Sequence, residues 1–335
     1  MKRKRLFSFG ALVIAVFSLV IGVASPVLAA SGQGGNALRI SPVRTDTEIA
    51  PGSSKTTEVY VENLTTEPAV LHAIVNDFVA SKDESGTPSI ILDENKSAPV
   101  RSLKQYVAPI ADFTLQPSER KMIPVVISIP KGADAGGYFG AVRFAPASNN
   151  ANKMLTLSAS VGSLFLIKVP GELKEEASIS SFEIRRNDMV MLSPVLTSKK
   201  DLKGVIRVQN NGNVQLQPYG KVLLKKAGKV VATYEINNEQ PRGNVLPDSI
   251  RRFEFNLDKL GSFGKYTLEA NLGYGSKGQL LTATKTFYMI PVGALIAVGV
   301  IVVAIVVAIF VLPRMIKNYN ARVIRKATGG RGKKK

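Results

Sequence analysis

Few side chains in this sequence could act as a base or a nucleophile. His72 is the single histidine of 335 residues, and it alternates with Val70, Ile74 and Phe78 along an expected strand. On such a face an imidazole is packed or hydrogen-bonded structure. Ser118-Glu119-Arg120-Lys121 has the S-x-x-K spacing of an acyl-transfer dyad. That chemistry needs a helix to bring hydroxyl and amine together and a K-T-G partner; the motif here enters a strand, and K-T-G is absent. Asp83, Glu84, Asp93 and Glu94 could supply the carboxylate pair of a glycan hydrolase. They sit in polar loops beside Ser85, Asn95 and Ser97, where solvated charge is expected. No G-x-S-x-G occurs, and with no Cys and one His, zinc, iron–sulfur and thiol chemistry lack ligands. The sequence therefore reads as a protein that is not an enzyme, with no metal site and no cofactor.

The elements that would position any site are mostly strands. Between residues 37 and 286, alternation and short apolar runs punctuated by Pro, Gly, Asn and Asp dominate. Thr57, Val59 and Val61 alternate with Glu58, Tyr60 and Glu62; Ile123, Val125, Ile127 and Ile129 form another inward face. Further strands are expected at Ala37–Val43, Ala69–Val79, Val100–Val107, Tyr138–Phe144 and Met154–Val169. After Pro170-Gly171 and a charged stretch, the pattern resumes at Ser178–Ile184, Gly204–Gln209, Val214–Lys226, Val230–Ile236, Ile250–Leu257, Tyr266–Leu272 and Leu280–Phe287. Ala227-Gly228 reads as a tight hairpin. Strands at this spacing predict an all-β chain with two immunoglobulin-like antiparallel β-sandwich domains, residues 37–170 and 177–287, joined by a linker at 171–176.

The two ends carry the charge. Of the net +19, residues 1–30 supply four basic residues and 314–335 nine, with no acid in either, leaving +6 between. A pI near 10 thus does not predict nucleic-acid binding. Lys2, Arg3, Lys4 and Arg5 precede an apolar run to Val23 and the small-residue site Val27-Leu28-Ala29, which makes residues 1–30 a signal peptide cleaved after Ala29 or Ala30; an uncleaved anchor is the rival reading. Residues 31–36 form a short linker.

Val292 to Leu312 is 21 residues without a polar side chain, about 31 Å as a helix, the thickness of a bilayer core. Residues 288–313 are expected to form one transmembrane helix bracketed by Pro291 and Pro313. Arg314, Lys317, Arg322, Arg325 and Lys326 follow directly, so the basic tail 314–335 is expected in the cytoplasm, against anionic lipid, with the large N-terminal region outside the cell membrane. Gly293, Ala297, Ala304 and Ala308 fall on one stripe, a face on which such helices pair. Leu246-Pro247-Asp248-Ser249 is similar to a sortase signal but lacks its Thr and Gly. Asn63-Leu64-Thr65 and Asn95-Lys96-Ser97 match a glycosylation acceptor, a pattern too common to decide anything.

Several motifs occur in a familiar order. Leu38-Arg39-Ile40-Ser41-Pro42 opens a strand, and Pro51-Gly52 leads to Val59-Tyr60-Val61-Glu62-Asn63. Phe113–Glu119, Ile127-Ser128-Ile129-Pro130 and Ala135–Gly140 follow. This order resembles the N-terminal peptidoglycan-binding domain of the WxL-interacting proteins, over roughly residues 37–146. Periplasmic pilus chaperones have a similar first domain, with a comparable L-x-P-x-E before a strand. The first resemblance implies a single-pass, non-catalytic envelope scaffold contacting peptidoglycan with one domain and a surface protein partner with the other. A ligand would then be sought at Gly136–Arg143, where Tyr138 and Phe139 offer a stacking face and Arg143 a cation for a carboxylate. The alternatives are a membrane-tethered, chaperone-like assembly factor acting by strand addition, and an envelope glycan hydrolase.

Overall fold

The computed structural model of the chain describes residues 37–146 and 160–329. The expected signal peptide and linker over residues 1–36, the strand residues 154–159 and the last tail residues lie outside these.

The first sandwich holds β1 (Leu38–Ser41), β2 (Arg44–Glu48), β3 (Ser54–Asn63), β4 (Ala69–Ala80), β5 (Pro88–Ile90), β6 (Phe113–Leu115), β7 (Arg120–Ser128), β8 (Gly136–Pro146) and β9 (Val161–Val169). One sheet has the order β1-β3-β7; the other runs β2-β9-β8-β4-β5, with β6 also on β4. Alternation explains the layering. Val59 and Val61 of β3 face Ile123, Val125 and Ile127 of β7 within one buried cluster, while Glu58 and Glu62 point out. Each such aliphatic contributes roughly 1.5–3 kcal/mol on burial.

The second sandwich is built from β10 (Ala177–Arg186), β11 (Met189–Val190), β12 (Val195–Leu196), β13 (Leu202–Asn210), β14 (Tyr219–Lys226), β15 (Lys229–Ile236), β16 (Ser249–Asn256), β17 (Gly264–Tyr274) and β18 (Gln279–Met289). Its sheets are β11-β10-β13-β16 and β12-β18-β17-β14-β15. Ala227 and Gly228 both have positive φ, 49° and 80°, as the β14–β15 hairpin requires. Without a disulfide or Trp, aromatic pairs fill the core: the Tyr266 and Phe287 rings stack with centroids 5.7 Å apart.

Each sandwich is also pinned by a buried asparagine at a strand end. Asn63 Nδ2 donates to Glu67 O at 2.8 Å, and its Oδ1 accepts from Thr65 N at 3.0 Å. Asn210 Nδ2 donates to Val214 O and Val245 O, at 2.8 and 2.9 Å, and its Oδ1 accepts from Gly212 N. Both side chains are fully buried, so the acceptor-like Asn63-Leu64-Thr65 presents no accessible amide.

Three expectations need correction. Val100–Val107 is not a strand: Lys104–Tyr106 is a short 3-10 turn, and Leu103 plugs the first core. The segment's apolar residues do not alternate, so it packs as a turn on the core and forms no strand. Val214–Pro218 lies outside β14, touching Val245 through a single bridge at Leu216. The helix, α1 (Val292–Gly329), runs through Pro313 instead of ending there. Extending an existing helix needs no new nucleus, so the helix formers after Pro313 carry it onward. None of the most apolar stretch of α1 is buried, and its mean hydropathy of 3.5 makes it long and apolar enough to cross a membrane.

Candidate functional site: the cleft between the sandwiches

The loop joining β4 to β5 reaches from the first sandwich onto the edge strand β16 of the second. Glu84, held at a φ of 61°, accepts a backbone hydrogen bond from Arg252 N at 2.8 Å. Its carboxylate accepts from Arg207 Nε at 2.6 Å, and Arg207 Nη1 donates to Glu183 Oε1 at 2.8 Å. Burial works against the charge on Glu183. The hydrogen bond and charge of Arg207, with help from Ser181 and Arg185, outweigh it and hold the carboxyl below its ordinary range. For Arg207 burial likewise opposes the charge, and Glu84 and Glu183 together raise its pKa.

A second seam lies alongside. Gly137 N donates to Asn213 O at 2.8 Å, and Asn213 Nδ2 donates to Ala135 O at 3.3 Å. The same Asn213 fastens the connecting segment, donating to Glu172 O and accepting from Lys174 N. Arg44 Nη1 donates to Arg242 O at 3.0 Å. The 171–176 connection is therefore strapped down, not a free linker.

Between these seams is a cavity of about 240 Å³ lined by Phe78, Leu164 and Leu166 from the first sandwich and Leu246, Ile250 and Arg251 from the second. It adjoins an opening of about 550 Å³ that shares Phe78, Leu246 and Ile250 and adds Phe139, Val100 and Arg101. Alternation on β4, β8 and β9 turns one set of side chains away from the main core, and Leu246 joins this set from the second sandwich.

Arg251 is the group there whose chemistry is unfinished. Its Nη1 donates to Asn244 O at 2.9 Å, but its Nε is buried without a hydrogen-bond partner. Among the described residues no carboxylate forms an ion pair with it; its neighbours include Arg44. Burial, then the Arg44 charge, lowers its pKa. Gly86 and Gly243 flank the guanidinium so closely that a Cβ on either would come within 2.2 and 2.5 Å of it. Arg101 Nε in the adjoining opening is also buried and unpartnered. A cavity with mainly apolar walls, Arg44 at its side and an unsatisfied guanidinium suits a ligand that brings both an apolar body and an anion.

The residues expected to bind from Gly136–Arg143 divide between two environments. Tyr138 is in the core at 3% exposure, its ring 5.6 Å from Tyr106 and its hydroxyl donating to Asp134 O. It offers no stacking face. Phe139, on the opposite side of β8, packs 5.8 Å from Phe78 and lines the opening. Arg143 donates to Asn76 Oδ1 and Ser160 Oγ, at 2.8 and 3.1 Å. Glu84, expected to be solvated, is instead paired at the junction. No local pattern marks it, because its partner lies in the other sandwich.

His72 Nδ1 lies 2.6 Å from Asp112 Oδ1, with both side chains about half exposed. Ser118 occupies a turn at a φ of 60°, and Lys121 on β7 sits over the Phe113 ring. Among the described residues no group of three or more His, Cys, Asp or Glu could hold a metal ion. Gly293, Ala297, Ala304, Arg314, Lys317, Arg322 and Arg325 are exposed on α1, and Ala308 is partly so. Lys326 lies on the same helix.

No family model and no curated relative matches the chain. Among solved structures, it is similar to the class 5 fimbriae chaperone CfaA at 15% identity and a TM-score of 0.36, over 76% of this chain and 99% of that one. The YadV chaperone matches at 12% identity and a TM-score of 0.33, over 75% and 100%. The E. coli chaperone DraB matches at 14% and 0.31, over 75% and 96%. Likenesses this distant assign no ligand and no activity.

Proposed function

We propose that the chain is a membrane-anchored, non-catalytic assembly or scaffold protein of the bacterial envelope, which holds an apolar, carboxylate-bearing segment of a protein partner in the cleft between its sandwiches. One observation carries this reading: Arg251 is a largely buried cation without a carboxylate, in a cavity that is mainly apolar and holds a second cation, Arg44. An unpaired buried charge is costly, and a ligand carboxylate removes that cost on binding. The apolar helix α1 supports anchoring, and the basic residues after it support a cytoplasmic C-terminus.

Site-specific photo-crosslinking on intact cells tests the proposal. A photoreactive residue at Ile250, in the cleft, is expected to capture a protein, and one at exposed Leu280 is not. Peptidoglycan fragments as the only adducts at Ile250 would transfer the function to the glycan-binding reading implied by the WxL-interacting resemblance. Absence of any adduct would show that the cleft holds no partner.

A further inference from the structure

Strand β18 ends at Met289 and α1 begins at Val292, with only Ile290 and Pro291 between. Ile290 N donates to Leu196 O at 2.9 Å, and Ala294 N donates to Pro291 O at 2.9 Å. Ile290 is thus bonded to β12, and the first turn of the helix opens on Pro291 directly after it, with no stalk.

The register shows what else lies at that end. Gly264 pairs with Met289, so Phe263 falls level with Ile290; at about 3.3 Å per residue it lies within roughly 10 Å, along the strand, of the first helical residue. Phe263 is 63% exposed. Leu196 pairs in parallel with Met289, so the chain from Thr197 continues in the direction of the helix, carrying Lys199 and Lys200. Lys226 pairs with Tyr266, which places the β14–β15 tip and Lys229 at the same end, and β16 closes there toward Lys259. All five lysines are exposed, against Asp188, Asp201 and Asp258.

We propose that this end of the second sandwich rests on the bilayer surface into which α1 descends, with Phe263 seated at the boundary of headgroups and acyl chains and the lysines over anionic headgroups. An aromatic ring exposed at the level where a span begins has its favourable environment there. The lysines match the sign of anionic lipid, and the covalent anchor keeps the surface at high effective concentration. The seat fixes the second sandwich against the membrane instead of letting it swing. This inference rests on the reading of α1 as a membrane span.

The chain has no Trp, so one substitution creates a unique reporter in the full-length protein. In vesicles of phosphatidylglycerol and phosphatidylcholine, Phe263→Trp is expected to emit to the blue of Leu280→Trp and to be quenched several-fold more strongly by brominated acyl chains. Leu280 is 63% exposed and lies near the far end of β18. Equal emission and quenching at the two positions would overturn the seating. Val302→Trp, midway along the apolar run, separates the two levels: quenched there but not at Phe263, only the seating fails; unquenched at both, the span fails and takes the seating with it.

Discussion

Glu84 and Arg207 lie 123 positions apart and meet at 2.6 Å across the two sandwiches. Arg207 is about 15% exposed and also holds Glu183, so Glu84 completes a charge set that spans the junction. Glu84→Gln keeps the shape and removes the charge. It is expected to destabilise the chain by about 1 kcal/mol, since the amide oxygen can still accept from Arg207 and only the charge-assisted part of the bond is lost. Chemical denaturation should then resolve separate transitions for the two sandwiches. A variant that unfolds in one transition within 0.5 kcal/mol of wild type, on the order of the scatter for surface substitutions, would show that the pair does not hold the junction.

The same set predicts an acid sensitivity. Glu183 has a folded-state pKa lowered from its ordinary 4.5. A depressed carboxyl contributes stability that is fully present above its unfolded value and is lost as pH falls through the folded one. Stability should therefore be flat above about pH 5 with respect to this group and decline below it. Glu183→Gln should show a shallower decline below that point, measured as melting temperature against pH. Identical slopes would contradict the assignment.

Arg251 should behave in the opposite way from a structural cation. Folding buries it without a carboxylate and lowers its pKa, so its charge opposes folding. Arg251→Met retains the apolar stem and is expected to leave stability unchanged or raise it by up to about 1 kcal/mol, while weakening partner capture. A marked loss of stability would make Arg251 a structural residue.

The small-residue stripe of α1 is expected to support pairing of the helix with a second copy. Gly293 has open space where a Cβ would stand, and close backbone approach is what such stripes permit in lipid. Ala297→Ile with Ala304→Ile should lower signal in an in-membrane association assay; an unchanged signal would remove the pairing face.

The strands that could be read in advance were those whose partners impose alternation on one face, such as β3 and β7. Strand β2, Arg-Thr-Asp-Thr-Glu, has no apolar alternation at all. It exists because β9 offers a parallel edge to it from Leu164 to Lys168, a partner more than a hundred residues away. Short β5, β6, β11 and β12 are likewise defined by their neighbours. The cleft was hidden for the same reason: Phe78, Leu166, Leu246 and Arg251 have no common period or spacing, and only the joining of the two sandwiches gives them a shared cavity. Tyr138 shows the converse error, since an aromatic beside glycines looks like a binding face until its strand parity directs it into the core.

On the proposed function, the cleft selects an apolar segment by its carboxylate. Fluorescence titration of the full-length protein with labelled apolar peptides, each in carboxylate and amide form, measures this selection. The carboxylate forms are expected to bind about 10–100-fold more tightly, the equivalent of roughly 1.5–3 kcal/mol for a charge-assisted hydrogen bond, and Arg251→Met is expected to abolish the difference. Equal affinity for the two forms in the wild-type protein, or a preference that survives Arg251→Met, would contradict it.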